Sequence, residues 1–125
     1  MKNFFKSYRD LEVWQKSMVL AKEVYQETSS FPTDEKFSLT NQMRRAAVSI
    51  PSNLAGGHAR SGTQEFKHFI SIAIGSVAEL ETQILLSVEL GYLNRDPEND
   101  LLVKLDTIGK MLRGLHKSLN KKEKM

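Results

Sequence analysis

From Leu101 to Leu119 the sequence places Leu101, Leu105, Ile108, Leu112, Leu115 and Leu119 at intervals of four, three, four, three and four residues. That alternation keeps one side of an α-helix apolar and is the spacing of a seam buried between helices. Three earlier segments have the same period. Phe66, Ile70, Ala73, Val77, Leu80 and Ile84 form one, and a second set (Phe69, Ile74, Leu85, Val88) widens its buried face. Leu39, Met43, Ala47, Ile50 and Leu54 form another, and Leu11, Trp14, Met18, Ala21 and Tyr25, flanked by Val13, Leu20 and Val24, form the first. Strand-like alternation, internal repeats and low-complexity tracts are missing from the sequence. A chain of 125 residues is long enough to bury its own core. These four seams predict one all-α domain over residues 1–125, with four helices covering about 10–120.

Punctuation between the segments sets the expected ends. Asp10 is the expected N-cap of the first helix, and Pro32 stops it by disfavouring helical geometry at Phe31. Thr33, with Asp34 and Glu35 behind it, is expected to open the second helix. Pro51 falls inside that helix and deprives Ala47 of a backbone donor. The apolar stripe nevertheless continues to Leu54, and a polar stripe of Gln42, Arg45, Ser49 and Asn53 continues beside it. The expectation is therefore a kinked helix that Gly56 and Gly57 close. Ser61-x-x-Gln64 reads as a capping box for the third helix, whose small residues Ala73, Gly75, Ser76 and Ala78 favour close packing, and Gly91 as its C-terminal stop. Asp96-Pro97 reads as an N-cap and first residue for the fourth. Connections this short force neighbouring helices antiparallel, which gives an up-down four-helix bundle. Residues 1–9 form an arm carrying Phe4, Phe5 and Tyr8, and 120–125 form a basic tail.

Cysteine is absent, which removes disulfides, thiolate metal sites and thiol nucleophiles and suits a reducing cytoplasm. The basic start is broken by Arg9, Asp10 and Glu12 before a signal-peptide core forms. The longest uncharged stretch in the apolar region, His68 to Ala78, has 11 residues, short of the about 20 a membrane span needs. The formal net charge is +3, but residues 71–100 hold six acids against one Arg and residues 101–125 seven bases against two acids. Such asymmetry fits self-association or an anionic partner, and equally two solvated helix faces.

Residues with chemical potential do not converge on an enzyme. Glu65-x-x-His68 has the spacing of a di-iron half-motif, but a di-iron bundle needs a second copy and two more glutamates. Neither His58 nor His116 has a glutamate three residues before it. Glu79 and Glu81, two apart on a helix, diverge; Glu79 is expected to pair with Arg44 or Arg45. Gly56 to Thr63 resembles a phosphate loop but lacks Gly-Lys-Ser/Thr and a preceding strand. No cofactor or metal is expected. The stronger signal is Lys110, Arg113, Lys117, Lys121 and Lys124, at offsets 0, 3, 7, 11 and 14 on one side of the fourth helix. That stripe fits a phosphate-contacting face and equally a solvated one.

Three motifs carry a family resemblance: Asp10-Leu11-Glu12-Val13-Trp14, Gln42 through Ala55 (with Arg44, Arg45, Ser49, Pro51, Ser52 and Asn53), and Glu65-Phe66 through Glu79-Leu80-Glu81-Thr82. Together they resemble the bacterial four-helix bundle proteins of 23S ribosomal RNA intervening sequences. In that family the middle motif continues Ala-Glu-Gly, whereas here Ala55 is followed by Gly56-Gly57. The resemblance implies an antiparallel bundle assembled as a homopentamer. The family is also similar to the accessory variability protein of diversity-generating retroelements, which implies RNA or DNA, or a protein such as a reverse transcriptase, as partner. The resulting expectation is an oligomeric, non-enzymatic nucleic-acid-binding protein that contacts structured RNA. The alternative is an assembly scaffold without nucleic-acid contact. Ile72, Leu102, Phe4 and Phe5 are the expected interface residues.

Overall fold

A computed structural model describes residues 7–124, with side chains through 121. Four helices dominate it: α1 (Glu12–Thr28), α2 (Leu39–His58), α3 (Thr63–Glu89) and α4 (Arg95–Lys124). Single 3-10 turns occupy Tyr8–Asp10 and Thr33–Glu35, and no strand occurs among the described residues. Each helix packs on its sequence neighbours and α1 on α4, so the four enclose one core. Leu20, Ile50, Leu54, Ile70, Leu80, Ile84, Leu105 and Leu112 are fully buried there. Burial of each such side chain contributes about 1.5–3 kcal/mol. Phe4 and Phe5 lie outside the described residues.

The helices form where the periodicity puts them, but several ends differ. Asp10 does not cap α1. Leu11 is buried and extended, so it takes the N-cap position without a side-chain bond. Asp10 instead closes a capping box one turn earlier, accepting from the Ser7 N–H at 3.3 Å while the Ser7 hydroxyl accepts from Arg9 N–H. Thr33 does not open α2 either. Phe31 is buried and holds the connection against the core, so Thr33–Glu35 spend themselves in a 3-10 turn and α2 starts at Leu39. The Glu35 carboxylate then does two jobs, accepting from Leu39 N–H at 3.3 Å and from the Tyr92 hydroxyl at 2.9 Å. The expected Ser61–Gln64 box is replaced by Gly62 with no side-chain cap, and α4 begins one residue before Asp96. Gly91 behaves as expected. Its φ of 79° lets its N–H reach Val88 O and Tyr92 N–H reach Ser87 O, a Schellman closure of α3.

α2 runs through Pro51 without interruption and does not stop at Gly56-Gly57. The pair has a different use. A Cβ on Gly57 would lie 2.6 Å from Phe69 Cβ and 3.1 Å from a ring carbon of Phe66, so this glycine permits α2 and α3 to touch. Ala73 and Ser76 supply small contacts within α3, whereas Gly75 and Ala78 face outward. Among the described residues, α3 is the one helix apolar enough by length and composition to cross a bilayer, which the count of uncharged residues does not reveal. One face of it is nonetheless built into the core, and Glu79 and Glu81 charge its exposed side.

Two outcomes follow for stability. Gly57→Ala forces a Cβ into Phe69 and should cost about 1–3 kcal/mol in urea unfolding. Gly56→Ala, with Phe69 Cε1 as its nearest neighbour at 3.9 Å, should be neutral or stabilising by up to about 1 kcal/mol. Equal effects would contradict the close approach. The hydrogen bond from Tyr92 to Glu35, then burial and the Glu35 charge, raise the Tyr92 pKa above its ordinary value. The raised value means the contribution is fully present below pH about 10 and is lost as pH climbs through the folded value. Tyr92→Phe should therefore be less stable than wild type near neutrality, with the gap closing in strong alkali.

Candidate functional site

Two surfaces gather the residues the sequence singled out. The first is the outer edge of α2, where it meets α1 on one side and α3 on the other. Arg44 and Arg45 are adjacent and so point about 100° apart. Arg44 turns to α1. Its Nε donates to Thr28 Oγ1 at 2.9 Å, Nη2 donates to Tyr25 O at 3.3 Å, and the guanidinium lies 4.6 Å from the Tyr25 ring centre. A cation there meets the negative end of α1. Arg45 is exposed and, among the described residues, makes no ion pair within 4 Å.

Ser49 faces α3, its hydroxyl 2.8 Å from that of Ser76. Asn53 steadies the joint, its amide donating to Ser49 O at 2.7 Å and to Ser49 Oγ at 2.9 Å. Pro51 is buried, and Ser52 is exposed beside it. The expected pairing of Glu79 with Arg44 or Arg45 does not form among the described residues. Arg44 is drawn to the Thr28 hydroxyl and the Tyr25 carbonyl of α1, and Arg45 and Glu79 both project to solvent, where an ion pair gains little.

Pro51 and Ser52 also border an apolar groove between α1 and α2, roughly 460 Å³ in volume, with Trp14, Met18, Lys22, Tyr25 and Val48 in its walls. Met18, Tyr25 and Val48 are each about half exposed. Sequence periodicity assigned Met18 and Tyr25 to the core stripe and missed the groove. Tyr8, packed edge-on against Trp14 at 5.3 Å, closes one end of it. Across the molecule Lys104 ties α4 to α1 through Glu23 and also reaches Asp100 at 3.1 Å. The hydrogen bond that Lys104 donates to Glu23 is the main cause raising the Lys104 pKa above its ordinary value. Only the Asp100 part of this cluster, an i,i+4 pair, was legible in the sequence.

The second surface is α4. Lys110, Arg113, Lys117 and Lys121 are all exposed on one side of it, as the spacing predicts. The Lys124 side chain lies outside the described residues. Lys110 pairs with Asp106 at 3.0 Å. Among the described residues no carboxylate lies within 4 Å of Arg113, Lys117 or Lys121.

The remaining candidates are engaged elsewhere. Glu65 of the Glu-x-x-His sequence faces Arg60 at 4.0 Å, while His68 packs edge-on against Phe69. Arg60, the cation of the glycine-rich connection, also sits over the Phe69 ring. No cluster of three metal-ligating side chains occurs among the described residues.

Comparison with known proteins follows the fold. A crystal structure of a protein of unknown function from the S23 ribosomal protein family of Bacteroides thetaiotaomicron superposes with a TM-score of 0.78 at 22% identity, covering 84% of this chain and 95% of that one. No curated protein matches the chain. The profile of the 23S rRNA-intervening sequence protein family matches residues 9–114, which includes the α2 motif, Glu79, Lys110 and Arg113 but ends before Lys117. With most of its length matched, the chain belongs to the 23S rRNA-intervening sequence protein family.

Proposed function

We propose that the chain is a non-enzymatic, homo-oligomeric accessory protein that binds nucleic acid, structured RNA foremost, through the basic face of α4. The observation that carries this reading is the run of Arg113, Lys117 and Lys121, exposed on one side of α4 and without ion pairs among the described residues. Cations not neutralised within the protein are available to phosphates, and their binding is favoured by counterion release. Such contacts position a ligand without reading its bases. Assembly repeats the stripe once per subunit and converts weak contacts into avidity; the family resemblance favours five copies.

Antiparallel, up-and-down order is the arrangement that fits this assembly. In support, contacts between α2 and α3 join Met43 to Ser87, Ser49 to Ser76 and Gly57 to Phe69, so position rises on one helix as it falls on the other. The α2–α3 and α3–α4 connections, 59–62 and 90–94, are also too short for a return along the bundle. The missing donor at Pro51 supports a bend in α2. The cysteine-free composition supports a cytoplasmic location, the burial of one face of α3 in the core supports a bundle without membrane insertion, and the side-chain chemistry calls for no cofactor. A second reading, a protein scaffold without nucleic-acid contact, is favoured by the exposed Ile72, Leu86 and Leu90 of α3.

Replacing Lys117, Lys121 and Lys124 together with Gln should weaken binding to a folded RNA hairpin and make its salt dependence shallower. Each phosphate that is no longer neutralised takes about 0.7–0.9 off the slope of log affinity against log salt. Fluorescence anisotropy between low and physiological salt measures both quantities. Wild-type protein without salt-sensitive binding leaves the scaffold reading in place. Light scattering at tens of micromolar should give a mass several times that of one chain, and a monomer would contradict the assembly.

A further inference from the structure

Two faces of the subunit each carry one unpaired charge in the middle of an apolar surface. The first is the α1–α2 groove, where Met18, Tyr25 and Val48 surround Lys22. Lys22 is exposed and, among the described residues, has no carboxylate within 4 Å. The second is a ridge on α3. Ile72, Gly75, Glu79, Leu86 and Leu90 fall within about 60° of one another at 100° per residue, on the side away from the core seam. Ile72, Leu86 and Leu90 are 41%, 46% and 48% exposed, and a Cβ at Gly75 would meet nothing within 4 Å. Glu79 has no cation within 4 Å among the described residues. Only 33% of the most apolar 18-residue window of α3 is buried, so the helix is more apolar than its place in one bundle requires. Exposed apolar surface of this kind marks a site that a partner covers.

We infer that the two faces mate between copies, the α3 ridge of one subunit lying in the α1–α2 groove of the next with Glu79 against Lys22. This rests on the homo-oligomer reading and names its interface. A convex helix and a concave cleft fit as a helix does in a groove, and the single charges have opposite sign. Pairing two ridges instead brings two Glu79 carboxylates together in an apolar contact, at the cost of uncompensated buried charge. A ridge-to-groove contact is heterologous: each subunit uses each face once, and the chain of subunits closes into a ring when the rotation permits. Inside the contact the Lys22–Glu79 pair is shielded from salt and sets the register. The basic side of α4 belongs to neither face and stays free.

The absence of native cysteine makes the geometry directly testable. Met18→Cys chains mixed with Leu86→Cys or with Ile72→Cys chains and mildly oxidised should form a disulfide with one of the two, according to the direction in which the ridge lies, and no variant alone should cross-link. Disulfides formed by L86C or I72C with itself would overturn the geometry, as would the failure of both oligomeric mixtures to form any. Independently, Glu79→Lys and Lys22→Glu should each weaken self-association by about tenfold or more through like-charge contact. Together they should restore it. Single variants that assemble like wild type, or a double variant that does not recover, would overturn the pairing while leaving the oligomer in place. A monomeric wild-type protein would overturn both.

Discussion

Gly57 brings α2 so close to Phe66 and Phe69 of α3 that no side chain fits between them, and the geometry on either side follows from that approach. One end of the α2–α3 pair is drawn together there. Two turns on, the Ser49 and Ser76 hydroxyls meet at 2.8 Å, a contact that larger residues would have prevented. Further along, the Ser87 hydroxyl lies 3.3 Å from Met43 Sδ. With α2 and α3 fixed in this way, α1 and α4 close the core by burying leucine and isoleucine. Arg44 then fastens the end of α1 through Thr28 and Tyr25, and Lys104 joins α4 to α1.

The charges left over after this packing divide the surface by task. Arg44 and Lys104 are committed to holding helices together. Among the described residues Lys22 and Glu79 have no ion-pair partner, and they sit in apolar surroundings that suit a contact between copies. Arg113, Lys117 and Lys121 stand clear of both and suit an external anion. On this account assembly and nucleic-acid binding use different sides of the bundle, so neither has to be given up for the other. The family profile matches residues 9–114, which takes in Arg113 but not Lys117 or Lys121.

Periodicity made the core legible because burial follows the 3.6-residue turn, and the stripes at Ile70–Ile84 and Leu101–Leu112 are buried as spaced. Helix ends were harder. Asp10 and Thr33 have the chemistry of caps, yet the burial of Leu11 and Phe31 next to them decided where the helices start, and that depends on the whole bundle. The glycines misled in a similar way, since Gly57 serves a contact with Phe69 rather than a stop. The basic face of α4 was legible because its residues share one helix. The Glu79 pairing and the α1–α2 groove were not, because each depends on which side of a helix a second helix occupies, and one sequence read alone does not give that.

The basic face of α4, and not the α1–α2 groove, is the side proposed to meet nucleic acid. Mass-spectrometric footprinting of lysine acetylation, with and without a folded RNA hairpin, tests it residue by residue. Protection should concentrate on Lys117 and Lys121, with Lys16 and Lys22 on α1 unchanged. Uniform reactivity across all four, or protection confined to α1, would contradict the account.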